Sequence, residues 1–331
     1  MASFGSANWS NRIAPRPDNG RQKQILYSAF DILTALASAF PPRAALAAGR
    51  GLGIIIGTVL RYRRRDADRA LQCAFSQMSA DERRRILRAM YRHLGCNVIE
   101  MLRLEKAGRA YLMSHIEWRG REHLDAALAE GRGVLMLSAH TGNWELGITA
   151  LPALGYPASV VVKRIRSSAV NAGIERVRRQ FGLQLLPSQG AYRDCLRALR
   201  RNEVLGFVLD QNRTIYDGIF VEFFGLPACT SPGLAHMAAT SGAPVVPVFM
   251  ERIADDRHCF NVSPSLEPPA DRTAAALAEA TQRYCRVIED FVRRHPEQWI
   301  WIHRRWKTQP RGSAGAGSVV RANLSRNKAS E

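Results

Sequence analysis

The chain has 331 residues, of which 47 are Lys or Arg and 29 are Asp or Glu, so its formal net charge is +18. This length is enough for one large domain or two ordinary ones, and 46% hydrophobic residues exclude a wholly disordered chain. No uncharged apolar run reaches about 18 residues, which excludes a polytopic membrane protein. The positive excess predicts an anionic partner: phospholipid, nucleic acid, an acidic carrier or an acidic substrate.

The cysteines are scattered singly and form no Cys-x-x-Cys pair, so a zinc ribbon is not expected. Their dispersed spacing is not typical of a disulfide-stapled secreted domain. The simplest interpretation is a set of reduced thiols in the cytoplasmic compartment.

The N-terminal part divides into a polar tail, residues 1–24, and a helical region, residues 25–110. The tail lacks the basic start and directly following apolar stretch of a secretory signal. Two apolar segments, 25–40 and 44–60, are each about 16 residues long, which is marginal for crossing a bilayer. The basic run 61–65 follows at once. We interpret this hairpin as membrane-associating, lying in or on an anionic membrane face; two buried helices of a soluble domain are the alternative.

Beyond the apolar hairpin, the pattern predicts a helix over 80–107, with Ser79 and Asp81 able to cap it. Short β-rich runs and helical stretches then alternate through residues 111–310, which predicts an α/β domain around a largely parallel sheet. The tail 311–331 is predicted to be disordered. The predicted strands are 134–139, 160–163, 204–209, 245–250 and 259–262. The predicted helices of this domain are 169–181, 191–200 and 272–294.

The most informative stretch joins the strand 134–139 to His140 and Glu145. His140 directly follows the strand, at the edge where open α/β sheets bind ligands. Glu145 lies five residues on, where a carboxylate can reach one imidazole nitrogen and fix the tautomer, leaving the other nitrogen free as a base. Gly142 is expected to let the backbone approach a ligand. The alternative is a hydrogen-bonded histidine in a turn.

Four blocks in order along the chain carry a family resemblance. The first, His-Thr-Gly-Asn-Trp-Glu at 140–145, is similar to the opening motif of glycerolipid-type acyltransferases. Its Asn-Trp form resembles the bacterial lipid A biosynthesis (lauroyl/myristoyl) acyltransferase family, of the lysophospholipid-acyltransferase-like superfamily. The other blocks are Arg-Arg-Gln-Phe-Gly at 178–182, Leu-Asp-Gln at 209–211 with 218–225 and 228–230, and the aromatic segment 296–307.

This resemblance covers about residues 25–310 and implies a glycerolipid-acyltransferase-like α/β fold. It implies a membrane-associated enzyme on the cytoplasmic face of the bacterial inner membrane. Such an enzyme moves a fatty acyl chain from an acyl carrier protein (or coenzyme A) thioester to a hydroxyl of a lipid A precursor. Relatives that acylate other glycolipids, such as phosphatidylinositol mannoside, or lysophospholipids share these motifs. A non-catalytic basic protein that binds membrane or nucleic acid is the alternative of a different class.

For acyl transfer, His140 is the predicted general base, and Glu145 is predicted to orient it and stabilise the imidazolium. The chain has no Gly-x-Ser-x-Gly elbow, so we expect direct transfer in a ternary complex without an acyl-enzyme. Cys229 is a poor alternative nucleophile, because its neighbours offer no activating group. No metal or other cofactor is expected, since His140 and Glu145 lack further ligands at a suitable spacing.

Two arginines are predicted to bind substrate. Either Arg178 or Arg179 is expected to hold an acceptor phosphate or the anionic donor carrier, and the sequence does not choose between them. Their alternative is a solvated helix face. Asn143, inside the first motif, is assigned to substrate binding by the resemblance.

Further predicted substrate contacts follow the later strands. Asp210 ends the strand at the same sheet edge as His140, where it either joins the site or caps a turn. Thr230 and Gly233 are predicted to open a helix whose free backbone amides favour an anion or oxyanion. The third block departs from the family, because Asn212 and Arg213 stand where relatives commonly have an acidic residue.

The last block combines Trp299, Trp301 and Trp306 with basic residues that include Arg305. Tryptophans with cations are typical of a membrane interface or a phosphosugar edge. Single-stranded nucleic acid binding by stacking is the alternative. Acidic residues interleave with the basic ones in most helices and recognised nucleic-acid modules are absent, so no nucleic-acid partner is expected.

Overall fold

A computed structural model describes residues 20–162, 169–188 and 190–310 of the chain. Most of the predicted polar tail and the predicted disordered tail 311–331 lie outside these described residues. The helices are α1 Gly20–Ala39, α2 Pro42–Ile54, α3 Arg64–Ala74, α4 Ala80–His115, α5 Arg121–Ala129, α6 Trp144–Ala153, α7 Ala169–Gln180, α8 Ala191–Arg200, α9 Gly233–Ser241 and α10 Ala274–Arg294. The strands are β1 Ile116–Arg119, β2 Val134–Ser138, β3 Ala158–Val162, β4 Gln184–Pro187, β5 Val204–Val208, β6 Ile219–Phe223, β7 Leu226–Thr230, β8 Val245–Arg252 and β9 His258–Val262. A π-helical turn, Ile55–Val59, continues α2, and a 3-10 turn, Pro296–Gln298, follows α10.

Within the described residues, seven strands form one sheet in the order β1-β9-β8-β2-β5-β3-β4. The neighbours from β8 to β4 run parallel, β9 runs antiparallel to β8, and β1 is parallel to β9. The strands β6 and β7 form a separate antiparallel hairpin. The prediction of an α/β fold with a largely parallel central sheet flanked by helices is confirmed. Every residue of β2 is buried, as expected for a central strand covered on both faces.

The predicted strands and helices lie close to their observed bounds. The helix predicted over 80–107 is α4, and Ser79 with Glu82 forms a complete capping box at its start. This helix continues to His115 after a break at Gly108, where φ is +72°. The short strands β1 and β4 and the β6–β7 hairpin were not predicted, because their apolar runs are short and partly exposed.

One face of α2 packs closely against α4. A Cβ atom at Gly53 would stand 2.0 Å from the carbonyl oxygen of Tyr91, and one at Gly95 would stand 2.0 Å from that of Gly49. Only glycine permits this approach of the two backbones. This face of α2 is therefore part of the protein core. That agrees with the alternative prediction, in which the two apolar segments are buried helices.

Large apolar side chains are exposed elsewhere on α1, α2 and the π-helical turn. We call these residues the apolar face: Ile32, Leu33, Leu36, Phe40, Leu52, Ile54, Ile55, Val59, Leu60 and Tyr62. Exposed apolar surface concentrated in one part of a chain marks an interaction site with a protein or a membrane.

Within the described residues, no helix taken singly has both the length and the apolar character needed to cross a bilayer. The pair Pro42–Val59 and Arg64–Ala74, bent by 87°, meets that criterion only when the two helices are taken together.

The interpretation of the last block as a membrane interface is wrong for its central residues. Trp299, Trp301 and Arg305 are 1%, 0% and 1% exposed, respectively. The rings of Trp299 and Trp301 pack edge to face with centroids 4.5 Å apart. The indole N–H of Trp301 donates to the carbonyl of Pro296 at 2.6 Å, so this polar group is satisfied inside the core.

Candidate active site

His140 and Asp210 meet at the carboxyl edge of two neighbouring strands. Ser138 of β2 lies opposite Val208 of β5 in a parallel register, so the residues that follow the two strands are brought together. Nδ1 of His140 lies 2.8 Å from Oδ1 of Asp210. The backbone N–H of His140 donates to Oδ2 of the same carboxylate at 2.9 Å. Two contacts therefore fix the imidazole relative to Asp210.

The electrostatics of this pair favour the charged forms. Burial lowers the pKa of His140, but the Asp210 carboxylate outweighs burial, and the pKa is raised above its usual 6.5. Burial raises the pKa of Asp210, yet the contacts with His140 and Trp299 hold it below its ordinary value. The indole N–H of Trp299 donates to Oδ2 of Asp210 at 2.7 Å. Asp210 is 2% exposed, so it acts on His140 rather than on a ligand.

The other imidazole nitrogen has a polar neighbour, and the ring borders a cavity. Nε2 of His140 is 3.3 Å from the side-chain nitrogen of Gln211. The indole ring of Trp144 stands edge-on to the imidazole at 5.2 Å. Both His140 and Trp144 line a cavity of about 340 Å³, a volume within the range of small-molecule sites. Its walls are mostly apolar, with contributions from Met136, Ile148, Val160, Val162, Ile174 and Phe207.

Glu145 does not contact the imidazole, contrary to the predicted arrangement. It forms a bidentate pair with Arg178 of α7, with Nε–Oε1 and Nη2–Oε2 distances of 2.5 and 2.8 Å. Asp210 occupies the position on Nδ1 that the sequence assigned to Glu145. The reason is local: Asn143 caps α6, and Glu145 in the first turn of that helix lies beside α7. The sequence left Arg178 and Arg179 undecided. Arg178 lines the cavity, and Arg179 is exposed.

Asn143 is fully buried and contacts protein groups, which argues against its predicted role in substrate binding. Its Oδ1 accepts the backbone N–H of Leu146 at 3.0 Å, and its Nδ2 donates to Glu100 at 2.7 Å. Glu100 also receives two bonds from the guanidinium of Arg252, at 2.5 and 2.7 Å. Burial raises the pKa of Glu100, but its contacts with His258 and Arg252 bring it down to about 2.

Gly142 is held between two parts of the protein. Its carbonyl accepts a bond from Asn97 at 2.6 Å, and its N–H donates to the carbonyl of Gln298 at 2.9 Å. The φ of Gly142 is +53°, and a Cβ atom there would lie 2.3 Å from the carbonyl oxygen of Met250. The close approach predicted at this glycine is therefore made by the strand β8 and not by a ligand.

Thr230 and Gly233 do not line the cavity. Thr230 ends β7, is fully buried and accepts a bond from Arg305 at 2.5 Å, so burial argues against substrate contact. Gly233 begins α9 as predicted, and its N–H donates to the Ser231 hydroxyl at 3.2 Å. Cys229 is fully buried, and burial raises its pKa, so it is no nucleophile.

Arg305 holds the segment that follows Asp210. Its guanidinium donates to the carbonyls of Gln211 and Cys229 at 3.2 and 3.0 Å. It also lies over the ring of Phe223, 5.2 Å from the centroid. No carboxylate among the described residues pairs with it, and burial lowers its pKa.

Sequence reasoning missed Trp299, Glu100 and Arg252 as supports of the His140 segment. Glu100 carried a usable signal, because a carboxylate stands among the apolar positions of a long helix. Within the described residues, no group of three or more His, Cys, Asp or Glu side chains is arranged to hold a metal ion.

Comparisons with known proteins identify the family of this site. The family model of the bacterial lipid A biosynthesis acyltransferases matches residues 22–308. The lipid A biosynthesis lauroyltransferase of Escherichia coli is 26% identical over 278 residues, covering 80% of this chain and 85% of the relative. The phosphatidylinositol mannoside acyltransferase of Mycobacterium tuberculosis (strain CDC 1551 / Oshkosh) is 28% identical over 200 residues, covering 56% and 58%. The crystal structure of the 1-acyl-sn-glycerophosphate acyltransferase of Thermotoga maritima aligns with a TM-score of 0.37 and 12% identity, over 84% of this chain and 99% of that one.

A buried Asp-His pair at the carboxyl edge of a parallel sheet, beside an apolar cavity, has the features of a candidate enzyme site. The chain belongs to the bacterial lipid A biosynthesis acyltransferase family, and it is an acyltransferase.

Proposed function

We propose that this enzyme transfers a fatty acyl chain from a thioester to a hydroxyl of a lipid A precursor, with His140 as the general base. The observation that carries the proposal is the His140–Asp210 pair, whose imidazole lines an apolar cavity. A base must lie within hydrogen-bond reach of the proton it takes, and this cavity offers that space.

The reaction follows from the state of the imidazole. Nδ1–H of His140 donates to Asp210, so Nε2 carries the lone pair, and the acceptor hydroxyl takes the place of the Gln211 amide that lies 3.3 Å from it. The acceptor hydroxyl gives its proton to Nε2 while its oxygen bonds to the thioester carbonyl carbon. The intermediate then collapses, the carbon–sulfur bond breaks, and the imidazolium returns the proton to the thiolate. The products are an ester and a free thiol, and no acyl-enzyme forms.

Arg178 is the group we assign to the negative charge on the carbonyl oxygen. Glu145 engages its Nε and Nη2 atoms, which leaves further guanidinium N–H donors at the cavity wall. The Glu145 carboxylate fixes the direction of this fork, and a donor that is already oriented costs little reorganisation in the transition state. Glu145 therefore acts through Arg178 as a positioning residue.

The donor we propose is acyl carrier protein, with coenzyme A as the other thioester. A chain with net charge +18 attracts an acidic carrier over long range. The apolar side chains of Ile148, Val160 and Ile174 suit the acyl chain, since burying each methylene contributes about 0.8 kcal/mol.

We place the enzyme on the cytoplasmic face of the bacterial inner membrane. The apolar face on α1 and α2 supports this, because its exposed side chains include Phe40, Val59 and Leu60, each more than half exposed. Vesicle flotation tests the placement. Binding that resists 1 M salt supports apolar insertion, whereas complete release by salt contradicts it, since salt screens charge and not apolar burial.

A second acceptor class is a mannosylated phosphatidylinositol, because the Mycobacterium tuberculosis relative is named for that activity. That similarity spans 56% of this chain, whereas the lipid A lauroyltransferase relative spans 80%. The lipid A precursor is therefore the first acceptor to test.

The experiment measures acyl transfer by detergent-solubilised protein, with acyl carrier protein or coenzyme A thioesters as donors. The acceptors are a Kdo-bearing tetra-acyl lipid A precursor, phosphatidylinositol mannoside and a lysophospholipid, and the readout is product mass. His140→Ala should lose about 10²- to 10⁴-fold in kcat. His236→Ala is the matched control, because His236 is exposed on α9 and should retain activity. Activity retained by His140→Ala removes it as the base, and mass gain only on another acceptor removes the lipid A assignment.

A further inference from the structure

A second cavity, of about 940 Å³, lies between the start of α3 and the first turns of α4. Among the described residues, eight arginines and two aspartates line it. We call it the arginine cavity, and its charged residues are Arg61, Arg63, Arg64, Arg65, Arg69, Arg83, Arg84, Arg88, Asp66 and Asp68. So many like charges facing one space repel each other unless an anion joins them.

Two of these eight arginines are neutralised by carboxylates, and two others, Arg63 and Arg64, donate to backbone carbonyls. Arg83 and Arg84 pair with Asp68 and Asp81, and Asp66 is taken by Arg304 from the C-terminal segment. No described carboxylate forms an ion pair with four others: Arg61, Arg65, Arg69 and Arg88. These four guanidinium groups are available to an anionic ligand, and arginine suits phosphate through bidentate contacts.

The backbone at the mouth of the cavity is strained. Arg61 and Arg63 have φ values of +49° and +51°, in the left-handed region that non-glycine residues rarely adopt. Arg63 is also the N-cap of α3 and makes no side-chain cap bond there. Strained conformations of this kind concentrate at ligand-binding segments. The turn therefore directs successive arginines into one space at a cost in stability.

The arginine cavity adjoins the candidate active site through one segment. Arg63 donates to the carbonyl of Ile302 at 3.4 Å. The next residue, His303, accepts the backbone N–H of Asn212 at 2.9 Å. Asn212 directly follows Gln211, whose side chain lies 3.3 Å from Nε2 of His140. The segment 302–303 and the residues after Asp210 thus connect the wall of the arginine cavity to the surroundings of His140.

The same cavity also begins where the apolar face ends. Val59, Leu60 and Tyr62 are 70%, 68% and 54% exposed, and Arg61 to Arg65 follow in the chain. A protein that inserts such a face places the adjoining arginines at the depth of the lipid phosphates. A lipid acceptor in the membrane would therefore lie next to this cavity. A soluble acyl carrier could approach the enzyme from another side.

We propose that the arginine cavity binds the phosphate of the acceptor glycolipid and so positions its hydroxyl at His140. The inference rests on the proposed function and adds to it a site for the acceptor phosphate. The sequence analysis had expected that phosphate at Arg178 or Arg179. Arg178 is paired with Glu145, and its remaining donors are assigned to the carbonyl oxygen of the reacting thioester. The free arginines that flank the apolar face have the charge and the position for an acceptor phosphate.

The test compares a triple variant, Arg65→Ala/Arg69→Ala/Arg88→Ala, with a control of equal charge loss, Arg193→Ala/Arg200→Ala/Arg286→Ala. The control arginines are exposed on α8 and α10, outside the arginine cavity. Each protein is assayed with a phosphorylated acceptor and with the same acceptor after phosphatase treatment. The triple variant should raise KM for the phosphorylated acceptor about 10- to 100-fold, with donor KM within about threefold. It should lose the wild-type preference for the phosphorylated acceptor, and the control should keep it.

Other outcomes overturn the proposal. A rise in donor KM alone assigns the cavity to the acyl carrier. Equal effects of the two triple variants would show that the loss comes from the total charge of the protein and not from the cavity. Unchanged acceptor KM in the triple variant removes the cavity from substrate binding. Vesicle flotation measures acceptor binding without acyl transfer. The vesicles consist of a neutral lipid and carry either the phosphorylated or the dephosphorylated acceptor. If the wild type fails to transfer yet floats only with the phosphorylated lipid, the proposed function fails while the phosphate site stands.

Discussion

Oδ1 of Asp210 lies 2.8 Å from Nδ1 of His140, while Oδ2 of the same carboxylate accepts the backbone N–H of His140. This double contact ties the ring and the backbone of His140 to one buried group at the end of β5. The neutral imidazole consequently carries its proton on Nδ1 and presents Nε2 to the cavity. Because Trp299 donates to the same carboxylate, the aromatic C-terminal block supports this arrangement from behind.

Asp210→Asn should lower kcat/KM about 10²- to 10⁴-fold, because an amide can donate to Nδ1 and stabilise the wrong tautomer. The measurement is steady-state acyl transfer, with thermal unfolding as the check on folding. Asp217→Asn is the matched control, since Asp217 is exposed and bonds Thr214 at 2.9 Å. It should change activity by less than about threefold. Equal activity of Asp210→Asn and the wild type would show that the carboxylate plays no part in positioning His140.

The pH dependence should report the same pair. The raised pKa of His140 places the acid limb of kcat/KM above pH 6.5, since the base must be neutral. Removing the Asp210 charge leaves burial as the main influence, and burial lowers the pKa of an imidazole. In Asp210→Asn the acid limb should therefore move to lower pH, although the maximum rate falls. If the acid limb does not move in Asp210→Asn, it reports the pKa of another group.

The Glu145–Arg178 pair should behave as one unit in kinetics. Glu145→Gln and Arg178→Gln should each reduce kcat/KM, and the double variant should lose less than the product of the two effects. We expect a coupling free energy of about 1–3 kcal/mol from the double-mutant cycle. Arg179→Gln, at the exposed neighbour, is the control and should have little effect. Independent, additive effects would mean that Glu145 does not act through Arg178.

The volume of the apolar cavity should set the preferred acyl chain length. Ile148 is partly exposed at the cavity wall, so Ile148→Ala should enlarge the cavity and Ile148→Phe should shorten it. The ratio of kcat/KM for long over short thioesters should rise in the first variant and fall in the second, with about 1 kcal/mol per methylene as the scale. Val98→Ala, at an exposed position on α4, is the control. Shifts in the same direction in both variants would place the acyl chain elsewhere.

Local patterns were sufficient to predict much of the fold. The strand β2 is apolar up to Ser138 and ends two residues before His140, so both the strand and the position of the histidine were readable. The start of α4 was readable from Ser79, whose side chain accepts the Glu82 N–H. These features depend on neighbours in the sequence, and such neighbours are visible without the structure.

The contacts of the site residues could not be predicted from the sequence, because they depend on long-range packing. Glu145 and Arg178 stand 33 residues apart and meet only because the fold brings the start of α6 near the end of α7. Trp299 and Trp301 stand shortly before the basic run 303–305, a composition that resembles an amphipathic interface, yet both rings are in the core. Whether Asp210 or Glu145 contacts the imidazole of His140 depends on the register of β2 against β5, which the structure provides.

The buried Glu100–Arg252 pair should stabilise the fold and the His140 segment together. The side chains are 2% and 6% exposed, and Glu100 also accepts from Asn143 in the loop after His140. Glu100→Gln leaves the Arg252 charge without its partner, which should cost about 3–5 kcal/mol in unfolding free energy. Glu105→Gln on the same helix is the control, because its pair with Arg176 is partly exposed and should contribute about 1 kcal/mol or less. Urea unfolding at pH 7 measures both.

The stability difference between wild type and Glu100→Gln should depend on pH in a defined direction. The pKa of Glu100 is lowered from 4.5 to about 2 in the folded protein, so its contribution is fully present above pH 4.5. As the pH falls from 4.5 toward 2, the unfolded state takes up the proton before the folded state does, and the contribution of the carboxylate is lost. The gap between the two proteins should therefore narrow over this window, while the gap for Glu105→Gln stays small. A gap that is constant from pH 7 to pH 2 would show that the loss comes from packing and not from the charge of Glu100.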